Sequence, residues 1–236
     1  MSALYATPEE AYAAYREAPQ TFFERYHEDH FDERSLISPD WTWYETKYHY
    51  NLVENGIIDL LGRDSDRIQV GDVLDVGSGT GHWIDFYAKT MEARSVTGVD
   101  FSELSSQALA RRYEAIESIR VDRMDITEHR PEFDGRFDLI NAIGVMFHIV
   151  DDDLWRQAVG HFAGYLRPGG MAIVGGDFGP ESQELGVMRR TRSLAMWEET
   201  LGAFGLEACG LKRFDWAKGG INPGLKNNLL AFRHRA

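Results

Sequence analysis

The stretch DVLDVGSGTGHW, residues 72 to 83, places Gly77, Gly79 and Gly81 at alternate positions directly behind an apolar run. Val73, Leu74 and Val76 read as a buried strand, and Trp83, Ile84 and Tyr87 as the apolar face of a helix. A strand–turn–helix unit of this kind aims backbone N–H groups and the positive end of a helix dipole at whatever lies above it. The spacing therefore predicts a ligand over the turn. The pattern is G-x-G-x-G, and His82 stands where a dinucleotide-binding G-x-G-x-x-G turn needs its last glycine. A nicotinamide-dependent oxidoreductase is thereby disfavoured.

The elements that must position this turn follow from hydrophobic periodicity. Apolar runs at 72–76, 94–99, 119–124, 137–143 and 170–175 alternate with helical segments near 82–91, 102–117 and 152–166. Such βαβα alternation implies a parallel sheet with helices on both faces. A last helix around 190–204 ends at Gly205, and the runs LEACGLKRFDW and NNLLAFRHR follow across a Gly-rich connection, so they should pair antiparallel. Aromatic residues are dense over residues 1–60, with helical spacing in Tyr12 and Tyr15, Phe22 and Tyr26, and Trp41, Tyr44 and Tyr48. Pro8 behind Thr7 opens a first helix, and SPDW at 38–41 restarts a second. The division expected is a helical cap or lid over residues 1–65 and an α/β domain over 66–236.

Composition narrows the partners. The 236 residues are 43% hydrophobic and 27% charged, ordinary for a soluble globular chain. A net charge of −13 opposes a phosphate backbone, so nucleic acid is not expected. No apolar run approaches the roughly 18 residues of a membrane span, and the opening residues lack a secretion signal's basic start. Cys209 is a lone cysteine; the expected setting is the cytoplasm.

Several separate stretches, in order, resemble the class I S-adenosylmethionine-dependent methyltransferases. VLDVGSGTG is similar to their first motif, VTGVDFS to the second strand with its terminal acid, and RMDI to the third. FDLINAIGVMFHI followed by LRPGGMAIV is similar to the fourth strand and the turn into the fifth. The resemblance implies a doubly wound, mostly parallel seven-stranded α/β sheet with an antiparallel last strand, and S-adenosyl-L-methionine as cofactor. It places Gly77, Ser78, Gly79 and Gly81 under the ligand, with Asp75 near the methionyl ammonium. Asp100, 19 residues after Gly81, would hold the ribose hydroxyls. Phe101 would lie on the adenine face, and Asp125 with the Ile126 N–H would read the adenine edge. Backbone around Asn141 and Ala142 would complete the methionyl pocket. A non-catalytic S-adenosyl-binding protein is the rival that these motifs also permit.

Methyl transfer needs a general base only when the acceptor atom is protonated at neutral pH. His148, behind the fourth strand, is the leading candidate, although FHIVDDD also reads as a loop feeding a capped helix with His148 satisfied by backbone. His49, Tyr44 and Asp177 are further candidates. Trp41, Tyr44, Tyr48 and Tyr50 could face the site from a lid, or be core. Arg189, Arg190 and Arg192 form a dense basic cluster, either an anion contact for a small aromatic substrate or a solvated helix start. No metal is expected: Asp151, Asp152 and Asp153 run consecutively, which suits a helix cap better than a ligand set.

Overall fold

The computed structural model describes residues 7–29, 31–32, 42–62, 70–185, 188–214 and 228–235. Three helices come first: α1 (Pro8–Glu17), α2 (Pro19–Asp29) and α3 (Trp43–Leu61). Thr7 caps α1, its hydroxyl accepting the Glu10 N–H at 3.2 Å, as the Thr-Pro start requires. Pro19 then begins a new helix after Ala18. Residues 38–41 lie outside the described set, and α3 opens on a Thr42–Glu45 capping box.

Strands β1 (Asp72–Val76), β2 (Ser95–Asp100), β3 (Ile119–Arg123), β4 (Phe137–Ala142) and β5 (Leu166–Gly176) are parallel. A short ribbon, β6 (Gln183–Glu184) with β7 (Arg190–Thr191), precedes β8 (Leu206–Lys212) and β9 (Asn228–His234). The main sheet has the order β3-β2-β1-β4-β5-β9-β8, and β9 runs antiparallel to both of its neighbours. This is the mostly parallel, seven-stranded sheet with an antiparallel last strand that the sequence led us to expect.

Strands β1, β2, β4, β5 and β9 divide their side chains between two cores, as a period of two demands. Leu74, Val76, Ile140, Ala142, Ala172 and Val174 pack with helices α6 (Asp152–Tyr165) and α7 (Leu194–Ala203). Val73, Leu139, Met171 and Ile173 pack on the opposite face. There they meet Val53, Ile57 and Leu60 of α3, together with α4 (His82–Asp85) and α5 (Glu103–Tyr113). Thus α3 forms part of a sheet-covering layer, whereas α1 and α2 reach the loops at the strands' carboxyl ends.

Two expected helices change form. The 82–91 segment is α-helical to Asp85 and then widens into a π-helical turn over Phe86–Thr90. The last helix begins at Leu194, where Ser193 caps it through the Met196 N–H, and not at 190. Arg190 and Thr191 instead ladder with Glu184 and Gln183. The arginine cluster therefore sits on and beside a ribbon, which corrects the helix-start reading.

Candidate active site

The glycine turn is shaped from inside the chain. Gly77, Gly79 and Gly81 all have positive φ, at 70°, 51° and 88°, the region that favours glycine. A Cβ on Gly77 would stand 2.2 Å from Val145 Cγ2, and one on Gly81 would meet Leu109 Cδ2 at 2.8 Å. The Gly77 and Ser78 N–H groups donate to the Val99 carbonyl at 2.7 and 3.1 Å, and Gly81 donates to Ser78 O at 2.8 Å. Gly79 donates to Asp100 Oδ2 at 2.8 Å. The expectation that this turn aims free N–H groups at a ligand is corrected at these four positions: three of them brace the end of β1 against β2, and Gly81 closes the turn on Ser78. The Ser78 hydroxyl turns inward as well, donating to Asp75 O at 3.0 Å.

The side chain at the end of β1 that the turn leaves short of a partner is Asp75. It is 0% exposed, with Oδ1 accepting from Asn141 Nδ2 at 2.7 Å. The Asn141 Oδ1 in turn accepts from the Tyr87 hydroxyl at 3.1 Å, so the asparagine side chain is committed at both ends. Asp75 Oδ2 is buried and has no hydrogen-bond partner among the described residues. Burial pushes this carboxyl up to about 7, although the Asn141 bond pulls the other way. A buried carboxylate oxygen without a donor is a place for a cation that itself brings N–H groups. The methionyl ammonium of an S-adenosyl ligand fits that description.

Asp100 ends β2 and joins two loops, its Oδ1 accepting the Ser102 N–H at 2.9 Å while Oδ2 holds Gly79. Phe101 beside it is half-buried. Asp125 is exposed and closes a local turn on the Thr127 N–H and hydroxyl, at 2.9 and 2.8 Å. Ile126 and Ala142 are buried, and the Ile126 carbonyl accepts from His161 Nδ1 at 2.8 Å.

His148 lies at the same end of the sheet, in a short 3-10 turn behind β4. Its Nδ1 is 3.0 Å from Met188 O. A carbonyl can only accept, so Nδ1 carries the proton and, in the neutral ring, Nε2 carries the lone pair. Burial lowers the imidazole to about 4, with the Met188 bond opposing and the Arg189 charge assisting. The Tyr15 hydroxyl of α1 donates to His148 O at 2.8 Å. Phe23 of α2 sets its ring edge-on to His148 at 5.1 Å and to Phe101 at 5.5 Å. Tyr15 and Phe23 were not singled out by their spacing as site residues. Only their joint distance from residues 101 and 148 in space shows what they touch.

The substrate candidates separate. Arg190 forks onto Asp152 at 2.9 and 2.8 Å and also meets Glu184 at 2.6 Å. Arg192, with its side chain 1% exposed, bonds Asp152 Oδ1 at 3.0 Å and the carbonyls of Met146, Val150 and Asp151. It also lies 4.9 Å over the Trp155 ring. The reading of Arg192 as a substrate contact is corrected: its guanidinium is consumed in fixing the start of α6. Asp152, read as part of a cap, is the anchor for both arginines, while Asp151 caps α6 through the N–H groups of Asp153 and Leu154. Arg189 and Asp177 remain half-buried near the mouth.

His49 is buried in the wall between α3 and the turn, beside Tyr50, which stacks on His82 at 3.6 Å. Burial holds His49 near 4. Tyr44 and Tyr48 are 70% and 47% exposed. At about 100° per residue they fall opposite the stripe of Thr46, His49, Tyr50 and Val53 that α3 buries, which corrects their placement facing inward. Trp41 lies outside the described residues. Among the described residues no three His, Cys, Asp or Glu side chains are grouped to hold a metal ion, and no helix is long and apolar enough to cross a membrane.

Residues 73–170, which hold the glycine turn and the buried Asp75, match the family model described as a methyltransferase domain, in line with the resemblance to the class I S-adenosylmethionine-dependent methyltransferases. The chain is 34% identical over 103 residues to a tRNA U34 carboxymethyltransferase of Nautilia profundicola, covering 44% of this chain and 33% of that one. It is 27% identical over 139 residues to a ubiquinone biosynthesis O-methyltransferase of Erwinia tasmaniensis, covering 51% and 54%. The chain thus spans between about a third and about half of these two curated relatives. The crystal structure of Burkholderia thailandensis 1,6-didemethyltoxoflavin-N1-methyltransferase, with bound 1,6-didemethyltoxoflavin and S-adenosylhomocysteine, shares the fold. It aligns with 100% of this chain and 94% of its own at a TM-score of 0.65 and 21% identity.

Proposed function

We propose that the protein transfers a methyl group from S-adenosylmethionine to an oxygen or nitrogen of a small molecule. The observation that carries this reading is the buried Asp75 oxygen without a donor at the carboxyl end of β1. When bound, the cofactor supplies an electrophilic methyl on a sulfonium whose thioether leaves without needing a proton. Asp75 Oδ2 would accept from its ammonium. Asp100 would accept from the ribose hydroxyls, Phe101 would lie along the adenine, and Asp125 with Ile126 would read its edge. Because the Asn141 side chain is spent on Asp75 and Tyr87, backbone around Asn141 and Ala142 lines the methionyl end.

On the acceptor side His148 Nε2 takes the proton that an alcohol, phenol or N–H must lose. Helices α1 and α2 act as a lid that excludes water, fastened by Tyr15 and by Glu24 Oε1, which accepts the Glu103 N–H at 3.0 Å. The small-molecule assignment draws support from the acidic chain and from the toxoflavin-type substrate in the Burkholderia relative. A cytoplasmic setting is part of the same reading.

Titration calorimetry with S-adenosylhomocysteine tests the cofactor: binding that weakens by about 1–3 kcal/mol in Asp100→Ala supports it, and binding of NAD(H) in its place overturns it. His148→Gln should lower kcat by roughly 10²- to 10⁴-fold at neutral pH with the cofactor affinity kept. Near-normal turnover in that variant removes His148 from the chemistry. Tight cofactor binding with no methyl transfer across a broad acceptor panel would instead identify a binding protein.

A further inference from the structure

Arg189, Arg190 and Arg192 differ in what they meet. Arg190 and Arg192 both close on Asp152. Arg189 is half-buried, yet no carboxylate among the described residues pairs with it, in a chain carrying 38 Asp and Glu. A partly desolvated guanidinium without a counterion is costly unless something else supplies the charge. Successive side chains of an extended segment point to opposite sides, so Arg189, next to Arg190 in the ribbon, departs from Asp152. Its charge reaches His148 instead.

The backbone holds it there. Leu185 N–H donates to Arg189 O at 2.8 Å, closing the ribbon, and the carbonyl one residue earlier, Met188 O, receives His148 Nδ1. Around the imidazole stand the half-buried rings of Phe147 at 4.7 Å and Phe23 at 5.1 Å, the latter continuing to Phe101. A cation, a neutral imidazole with one lone pair and two apolar rings thus stand close to one another at the carboxyl end of β4.

Resting on the methyl-transfer reading above, we propose that Arg189 reads an anionic group on the acceptor, which is a planar aromatic acid whose methylated oxygen or nitrogen faces His148. The guanidinium fork matches a carboxylate in two parallel hydrogen bonds, and the phenylalanines take the ring faces and edges. Binding the anion also neutralises the positive charge that opposes a proton on His148. The acceptor's own carboxylate then favours the imidazolium that methyl transfer creates.

The test uses the full chain with S-adenosylmethionine and matched pairs of probes: hydroxybenzoic, hydroxycinnamic, indole-carboxylic and pyridine-carboxylic acids, each beside its neutral carboxamide. S-adenosylhomocysteine release and calorimetric binding in the presence of S-adenosylhomocysteine are both read. The proposal expects acids to exceed their amides by at least tenfold in kcat/KM. In Arg189→Met that acid-to-amide ratio should fall by at least tenfold, with partial recovery in Arg189→Lys and no change in S-adenosylhomocysteine affinity. Amides equal to or better than acids, an unchanged ratio in Arg189→Met, or cofactor binding with no response to any acid would each overturn the acceptor assignment. Failure of S-adenosylhomocysteine to bind the wild-type chain would instead overturn the methyltransferase reading beneath it.

Discussion

Strand β1 carries an aspartate near each end, and the two have opposite fates. Asp72, at the amino end, accepts from Arg94 at 3.0 and 2.6 Å, from Ser95 Oγ at 2.8 Å and from Arg167 at 2.8 Å. Asp138 of β4 joins the same group, accepting from the Asp72 N–H and from Arg167. The Arg94 hydrogen bond above all holds the Asp72 carboxyl well below the usual carboxylate range. Asp75, three residues on, is fully buried with one oxygen lacking a donor, and burial raises it to about 7. The amino pole is thus closed upon itself and stabilises the sheet, whereas the carboxyl pole retains an unmet charge requirement. A parallel sheet collects its strand ends by kind, so one pole can be optimised for stability while the other is left open to a ligand.

The largest effect that would sharpen this contrast is expected from Asp75→Asn. The amide keeps the Asn141 bond but points a donor where the ammonium would donate, so S-adenosylhomocysteine affinity should fall about 100-fold, near 3 kcal/mol. Stability should not fall with it, because a buried group that is costly to ionise is replaced by a neutral one. Calorimetry and thermal unfolding of the same variant read both; retained affinity would break the contrast.

Next in size is the pH dependence. A raised carboxyl holds a proton in the folded, ligand-free state that the unfolded chain releases, so this contribution to stability falls as pH rises from about 4 towards 7. Asp72 acts in the opposite sense: its stabilisation is present above the ordinary carboxylate range and is lost as pH falls towards its depressed value. A ligand ammonium needs Asp75 ionised. S-adenosylhomocysteine affinity should therefore drop by up to tenfold per pH unit below about 7, with proton release visible when calorimetry is repeated in buffers of different ionisation enthalpy. Affinity flat between pH 5.5 and 7.5 would assign the ammonium elsewhere.

Asp72→Ala should do the converse of Asp75→Asn. It leaves Arg167 and Arg94 short of a partner at a partly solvated site, which costs about 1–2 kcal/mol and lowers the melting temperature by a few degrees. Cofactor affinity should stay within twofold. A loss of affinity comparable to that of Asp75→Asn would mean that the two poles are coupled through β1.

Much of this division was legible in the sequence, and the reason is local. Strand alternation and the G-x-G-x-G turn follow from spacing within about 30 residues, and the mostly parallel sheet agrees with that alternation, whereas Asp75 and Asp100 stand out only through the family resemblance. What spacing could not supply were partners distant in the chain: Asp152 for Arg190 and Arg192, Asn141 for Asp75, and Tyr15 and Phe23 for His148. A triad of arginines reads as one patch in sequence, but an extended backbone sends neighbours to different sides and splits it. Even the glycines carried a reason that sequence alone left open, since Val145 lies far along the chain from the turn it presses upon.

The smallest expected effect concerns a surface that belongs to neither pole. The stripe that α3 buries includes Thr46, His49, Tyr50, Val53 and Ile57, and Tyr44 and Tyr48 lie about 160 to 200° around the helix from Thr46. Both residues are exposed, so replacing them removes little buried apolar area from the folded state. Tyr44→Ser with Tyr48→Ser should change unfolding free energy by less than about 0.5 kcal/mol, the usual range for surface substitutions. Cofactor affinity and the acceptor KM should stay within twofold. The control is Tyr50→Ser on the inner face, where loss of the stack on His82 and of a fully buried ring should cost about 3 kcal/mol or more. A threefold or larger rise in acceptor KM for the outer pair, with stability intact, would extend the ligand-bearing pole onto the outer face of α3 and return these tyrosines to the site.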